Sequence, residues 1–197
     1  MKESACWINR WVRFGKTGGY TAGLFDREIY LDVETLRLSH EVEGGWGNIR
    51  AFGLAVAVTW DREHGFRRWF ETEAAELVGE LANFSRVVTF NGNRFDLEVL
   101  RAYAPVEEVR RRSFDVHEML HRQLGHRVKL DQLVRDTLGA AKSGDGLQAV
   151  EWWRAGQKDR VAEYCQQDVA LLRDVVEHGR TKGYVVVSAR QVRVSWE

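Results

Sequence analysis

Residues 29–36 read Ile-Tyr-Leu-Asp-Val-Glu-Thr-Leu, and their alternation decides how the rest of the chain is read. Ile29, Leu31 and Val33 alternate with Tyr30, Asp32 and Glu34, so a strand here puts aliphatics on one face and both acids on the other. Two carboxylates two residues apart on a strand point the same way. They repel unless water solvates them or a cation is shared, and oxygen donors of this kind suit Mg²⁺ or Mn²⁺. Taken alone, the pair also fits a solvated face of an edge strand.

The flanking elements build outward from this strand, which spans about 28–35. His40–Asn48 contains Gly44, Gly45 and Gly47 and reads as a loop. Phe52–Trp60 holds Ala-Val-Ala-Val-Thr-Trp, apolar on both faces, and Phe66–Phe70 returns after a turn at Asp61–Gly65. The three strands form an antiparallel meander. Glu73–Phe84 has Leu77, Val78, Leu81 and Phe84 at helical spacing. A strand at Arg86–Phe90, a turn at Asn91–Arg94 and a helix at Phe95–Tyr103 follow, the helix stopping before Pro105. Arg112–Phe114 reads as a short fifth strand, and helices follow at 115–124, 130–138, 147–154 and 158–178. Tyr184–Trp196 reads as a hairpin. A meander followed by alternating helix and strand, and then by helices, implies an α/β sandwich with a mixed sheet, the order of a ribonuclease-H-like core.

The totals bound what such a chain does. Its 197 residues suffice for one domain with a substantial core. The 29 Lys and Arg residues balance 29 Asp and Glu residues, which argues against avid, non-specific coating of nucleic acid. It leaves room for a local basic groove, or for metal ions that meet phosphates. Cys6 and Cys165 form no CxxC motif, so reduced thiols in a cytoplasmic setting are expected. No window is apolar and long enough to span a membrane, and the N-terminal tryptophans are interleaved with Arg10 and Arg13, unlike a signal peptide. Residues 4–14 suggest a short amphipathic helix carrying Trp7, Ile8, Trp11 and Val12. Gly15–Gly19 is a connecting loop rather than a P-loop, because Arg10 stands where that motif needs a glycine.

Two further acids stand out. Asp96 follows a hydrophobic strand and a Gly-containing turn, at the start of a helix that Asn93 is placed to cap. An acid in a first helical turn is favoured by the helix dipole, but the end of a parallel strand is also where open α/β sheets gather ligands. Asp168 lies in the last long helix, near the middle of a stripe of Val161, Tyr164, Cys165, Val169, Leu172, Val175 and Val176. A carboxylate on a core-facing stripe must be paired, hydrogen-bonded or metal-bound. Tyr164, one turn earlier, projects its hydroxyl the same way.

Leu-Asp-Val-Glu-Thr (31–35), Asn-Gly-Asn-Arg-Phe-Asp (91–96) and Tyr-Cys-Gln-Gln-Asp (164–168), in this order, resemble the three exonuclease motifs of the DEDD (DnaQ-like) 3′–5′ exonuclease superfamily. The tyrosine four residues before the last acid marks the DEDDy branch, since the DEDDh branch would place histidine where Glu163 stands. The wording is most similar to family-B polymerase proofreading domains and to stand-alone bacterial ribonuclease-H-like exonucleases. The resemblance covers about residues 28–178, with an extension before it and the hairpin after it. It implies a two-metal phosphodiesterase using Mg²⁺ or Mn²⁺ and releasing nucleoside 5′-monophosphates from DNA or RNA. By that resemblance Asp32 bridges both ions, Glu34 and Asp168 hold the water-activating ion, Asp96 supports the second, and Tyr164 orients the water. Thr35, Asn91 and Phe95 are the substrate-binding candidates. The implied partner is a nucleic acid, with a single-stranded 3′ end favoured, and a helicase or polymerase is a possible protein partner. The alternative is a non-catalytic nucleic-acid-binding or scaffold module on the same fold. A third reading, an endonuclease acting on RNA in hybrids, shares the acids but does not call for Tyr164.

A rival motif is present. His117-Glu118-Met119-Leu120-His121 is a formal H-E-x-x-H, which on a helix binds zinc. No third ligand is evident downstream, and Asp115 with Glu118 reads more simply as a capping box. Asp115 also stands near the acids by its place after a strand. Lys142, Ser143 and the run Arg110–Arg112 are placed to meet a phosphate backbone, although such residues are commonly just solvated. Trp46 and Phe95 are candidates for stacking on bases.

Overall fold

The structure, a computed structural model, describes residues 27–140 and 146–196. The proposed Trp-rich helix at 4–14, the loop at Gly15–Gly19, Cys6, Lys142 and Ser143 lie outside the described residues.

Strand β1 (Glu28–Thr35) is central in a five-stranded sheet. It pairs antiparallel with β2 (Leu54–Asp61), which pairs antiparallel with β3 (Gly65–Phe70). On its other edge β1 runs parallel to β4 (Arg86–Thr89), and β4 runs parallel to β5 (Ser113–Asp115), giving the order β3-β2-β1-β4-β5. The mixed sheet expected from the sequence is thus the one observed. The second strand begins two residues later than expected, because Ile49–Phe52 forms a 3-10 turn and Gly53 (φ +70°) breaks the extended backbone.

Each face of the sheet is covered by helices, so Tyr30 is buried on one face while Ile29, Leu31 and Val33 are buried on the other. Ile29, Leu31 and Val33 pack into a core with Leu77 and Leu81 of α1 (Ala74–Leu81) and Leu97 and Leu100 of α2 (Asp96–Leu100). A short helix α3 (Glu107–Arg111), not expected from the sequence, adds Val109 to this core. Each such aliphatic side chain, fully buried, contributes about 1.5–3 kcal/mol. Tyr30 faces the opposite core, built by α4 (Val116–Leu124), α5 (Leu130–Leu138), α6 (Gly146–Arg154) and α7 (Lys158–Lys182). Helix α7 lies across β1 and β2 through the stripe that the sequence shows, and runs four residues beyond the expected end to a Gly183 cap with φ +74°.

Strands β6 (Tyr184–Val187) and β7 (Arg190–Arg193) form the expected hairpin. Its two turn residues, Ser188 and Ala189, both have left-handed φ (51° and 59°), the backbone of the tight turns whose twist matches a hairpin. Beyond it, Trp196 packs over Gly179 of α7, where an added Cβ would come within 2.5 Å of the indole.

Candidate active site

Asp32 and Glu34 extend beyond the last β1–β4 pair, Tyr30 with Val88, so they stand at the carboxyl end of the parallel strands. The β1–β2 register shifts between Glu34 and Thr35, a bulge immediately after the second acid. From above, α7 brings Asp168 to the same place. Carboxylate oxygens of Asp32, Glu34 and Asp168 lie within 4.8 Å of one another. Tyr164 precedes Asp168 on the same buried side of α7, edge-on to Trp152 at 5.9 Å. Burial and then the negative charges of Asp168, Glu34 and Asp32 raise the pKa of its hydroxyl, so it stays protonated.

Asp96 is the first residue of α2 and is buried at 4% exposure. Its carboxyl pKa is raised well above the usual range, first by burial and then by the Asp32 charge; Asp115 adds to this, while backbone hydrogen bonds at Asp96 and Val33 oppose it. Asp96 therefore belongs to the same electrostatic cluster as β1. The expected cap is not the one seen. Phe95 occupies the position before α2, and no side chain caps the helix. The turn is held instead by Asp115, whose carboxylate accepts from the backbone N–H groups of Asn91 (2.8 Å) and Asn93 (3.0 Å). The same carboxylate caps α4 by accepting from Glu118 N–H at 3.2 Å. Gly92 is buried against Thr89, with a virtual Cβ 2.4 Å from its side chain, so the turn closes only around glycine.

The sequence presents Cys165 only as an apolar position of α7. Its thiol is fully buried and donates to the carbonyl and to the carboxylate Oδ2 of Asp32, each at 3.3 Å. Burial first, then the Asp32 and Glu34 charges, raise its pKa, which keeps it a thiol and a donor.

The carboxylates open into a cleft of about 370 Å³. Thr35, Arg37, His40, Phe90, Asn91 and Phe95 are among the residues that line it. Thr35 donates its hydroxyl to the Arg37 carbonyl at 3.1 Å. Trp46, 64% exposed, stands at the mouth, 5.6 Å from Phe52 and 6.1 Å from Phe95 between ring centres. All three substrate-binding candidates, Thr35, Asn91 and Phe95, therefore reach the cleft.

Other expected contributors are used elsewhere. Arg110 binds Glu98 and the Asn93 carbonyl, Arg111 binds Glu108, and Arg112 binds Glu108 and the Ala82 and Phe84 carbonyls. That basic run ties α3 to its neighbours. His117 and His121 do stack at 6.1 Å, but Glu118 pairs with Arg122. Among the described residues, the group able to hold a metal with three ligands is Asp32, Glu34 and Asp168, and it contains no histidine. An all-carboxylate set fits a hard divalent cation. Shared binding would also offset the Asp32 charge, which after burial is the next cause that raises the Asp96 carboxyl pKa.

Residues 29–180 match the sequence profile of the RNase H superfamily. The chain belongs to that superfamily. Among solved structures, a family B DNA polymerase from the hyperthermophilic archaeon Pyrobaculum calidifontis is similar, with a TM-score of 0.58 and 13% identity. The match covers 84% of this chain and 25% of the polymerase, so it is a likeness of fold over about a quarter of that protein's length. No curated protein matches the chain in sequence. No described helix of this RNase H superfamily member is long and apolar enough to cross a membrane.

Proposed function

We propose that this protein is a metal-dependent 3′–5′ exonuclease of the DEDDy type, hydrolysing DNA or RNA to nucleoside 5′-monophosphates. The observation that carries the reading is the meeting of Asp32, Glu34 and Asp168 with Tyr164 placed one turn before Asp168 on α7. An acidic cluster explains metal-dependent phosphodiester cleavage in general; the protonated tyrosine beside it is what the DEDDy reading adds.

Asp32, Glu34 and Asp168 would hold Mg²⁺ or Mn²⁺, with Asp96 supporting a second ion. When bound, the ions supply Lewis-acid activation of water and charge neutralisation at the leaving 3′ oxygen. The chain's own groups do the rest. Tyr164 keeps its proton, so its hydroxyl orients the attacking water without adding negative charge. Cys165 holds the Asp32 carboxylate in one orientation. Thr35 and Asn91 border the terminal nucleotide, and Phe95 and Trp46 offer ring faces to its base.

The test uses 5′-labelled single-stranded DNA, duplex DNA and RNA, with Mg²⁺ or Mn²⁺, comparing wild type with Asp32→Ala. A metal-dependent ladder shortening from the 3′ end, absent in the variant, is the expected result. Binding to any of these substrates without cleavage would replace the exonuclease with a binding module. Cleavage of circular substrates would replace it with an endonuclease.

A further inference from the structure

Beside the cleft, sharing Trp46, Asn91 and Phe95 with it, lies a second chamber of about 490 Å³, lined also by Ile49, Arg94 and Arg127. Trp46, Asn91 and Phe95 line both chambers, so the two are neighbours across one partition. Their charge differs. The cleft carries three acids, Asp32, Glu34 and Asp96, beside Arg37 and His40, whereas Arg94 and Arg127 are the charged residues among the described lining of the second chamber.

Asn91 joins the two. It has a left-handed backbone (φ 66°), which asparagine adopts more readily than most residues, and Asp115 pins its N–H. Its side-chain oxygen accepts from Arg127 at 3.3 Å, which holds that guanidinium at the partition. The arginines around this region are otherwise spent on carboxylates: Arg50, Arg101 and Arg110 all reach Glu98. Among the described residues, Arg94 and Arg127 enter no ion pair. Two arginines beside a ring face are suited to one phosphodiester and its base.

We propose that the second chamber is a phosphodiester subsite, taking the nucleotide next to the one held at the carboxylates, with Arg127 and Arg94 on its phosphate. The proposal rests on the exonuclease reading. It makes the partition the point where the end of a strand is separated from the next residue, and it makes affinity depend on substrate length.

The experiment compares the p-nitrophenyl ester of thymidine 5′-monophosphate, which reaches only the carboxylate cleft, with oligothymidylates of increasing length. Wild type, Arg127→Ala, Arg94→Ala and Arg127→Gln are measured together. The ratio of kcat/KM for the oligomer to that for the ester falls about tenfold or more in Arg127→Ala, the loss expected for one charged hydrogen-bonding group. The fall lies in KM, and the salt slope of oligomer binding drops by about 0.7 for each phosphate no longer neutralised. Both arginines are exposed, so melting temperatures stay at the wild-type value; Arg127→Gln, which keeps polarity, substitutes if the alanine variant melts early. An unchanged ratio and salt slope, with both substrates cleaved, would overturn the subsite while leaving the exonuclease standing. If wild type cleaves neither substrate, the exonuclease reading has failed by itself. Fluorescence anisotropy of a labelled oligothymidylate then decides the subsite, which stands if Arg127→Ala weakens binding and falls if it does not.

Discussion

Strand β1 and helix α7 meet twice, by opposite logic. Near the start of β1, Glu28 accepts two hydrogen bonds from Arg180, at 2.7 and 2.6 Å, while Arg180 also donates to the Trp196 carbonyl at 2.7 Å. Further along the same strand, Asp32 and Glu34 meet Asp168 of the same helix within 4.8 Å. Opposite charges meet at one end and like charges at the other. A bidentate pair offsets its desolvation with directed hydrogen bonds. Gathered carboxylates lower stability until a cation is shared. The molecule is thus clamped where no chemistry is proposed, and accepts electrostatic strain where chemistry is.

Four substitutions test that contrast. The largest effect is expected from Asp168→Ala, which removes a ligand from the acidic end. Turnover of a labelled strand should fall on the order of 1,000-fold or more, as losing several kcal/mol of transition-state stabilisation requires. Far-UV circular dichroism should stay native, and full residual activity would sink the site assignment. Next is Tyr164→Phe, for which kcat should fall roughly 10- to 100-fold with KM little moved. A wild-type kcat would remove the reason for calling the site DEDDy. At the clamped end, Arg180→Ala should cost roughly 2 kcal/mol in urea denaturation, by leaving Glu28 with only the longer Arg86 contact at 3.6 Å among its ion pairs. Its kcat should not move; a loss of activity without a loss of stability would erase the division between the two ends.

The smallest expected effect is also the most diagnostic. The Asp96 carboxyl pKa is raised, by burial and then by Asp32, from the usual 3.8. A raised folded-state pKa means that stability present below pH 3.8 is lost as the pH climbs. Asp96→Asn should therefore melt roughly a few degrees above wild type at neutral pH in chelator. The gap should close as the pH falls towards the usual carboxylate value, and should shrink when Mn²⁺ is added. A variant that melts below wild type throughout would show that this acid stabilises the fold.

The acidic end is legible in the sequence for a physical reason: strand alternation and helical stripes fix which side chains share a face. Those periods put Asp32 and Glu34 on one strand face and Asp168 on the core-facing stripe of α7, and the ordered three-motif resemblance is what brings them to one site. What stays hidden depends on where the backbone turns in space. Helix α3 has five mostly charged residues and offers no apolar period to read. Asn93 looks like a cap, yet its backbone N–H is held by Asp115, more than twenty residues away, which reaches back to the turn. Arg127 sits alone between α4 and α5, and only the fold carries it to Asn91. Arg110–Arg112 shows the reverse, a conspicuous basic run that is consumed within the structure.

The close approach of Gly92 to Thr89 also limits how the protein can change. With a virtual Cβ only 2.4 Å from the Cβ of Thr89, an atom that every residue but glycine carries, position 92 admits only glycine unless residue 89 becomes glycine at the same time. In a library randomised over 89–95, survivors should keep Gly92 or should alter both positions together. That makes the pair a linked locus. Asp96, four residues on, is inherited with it, so the acid at the start of α2 is guarded by a residue that carries no charge at all.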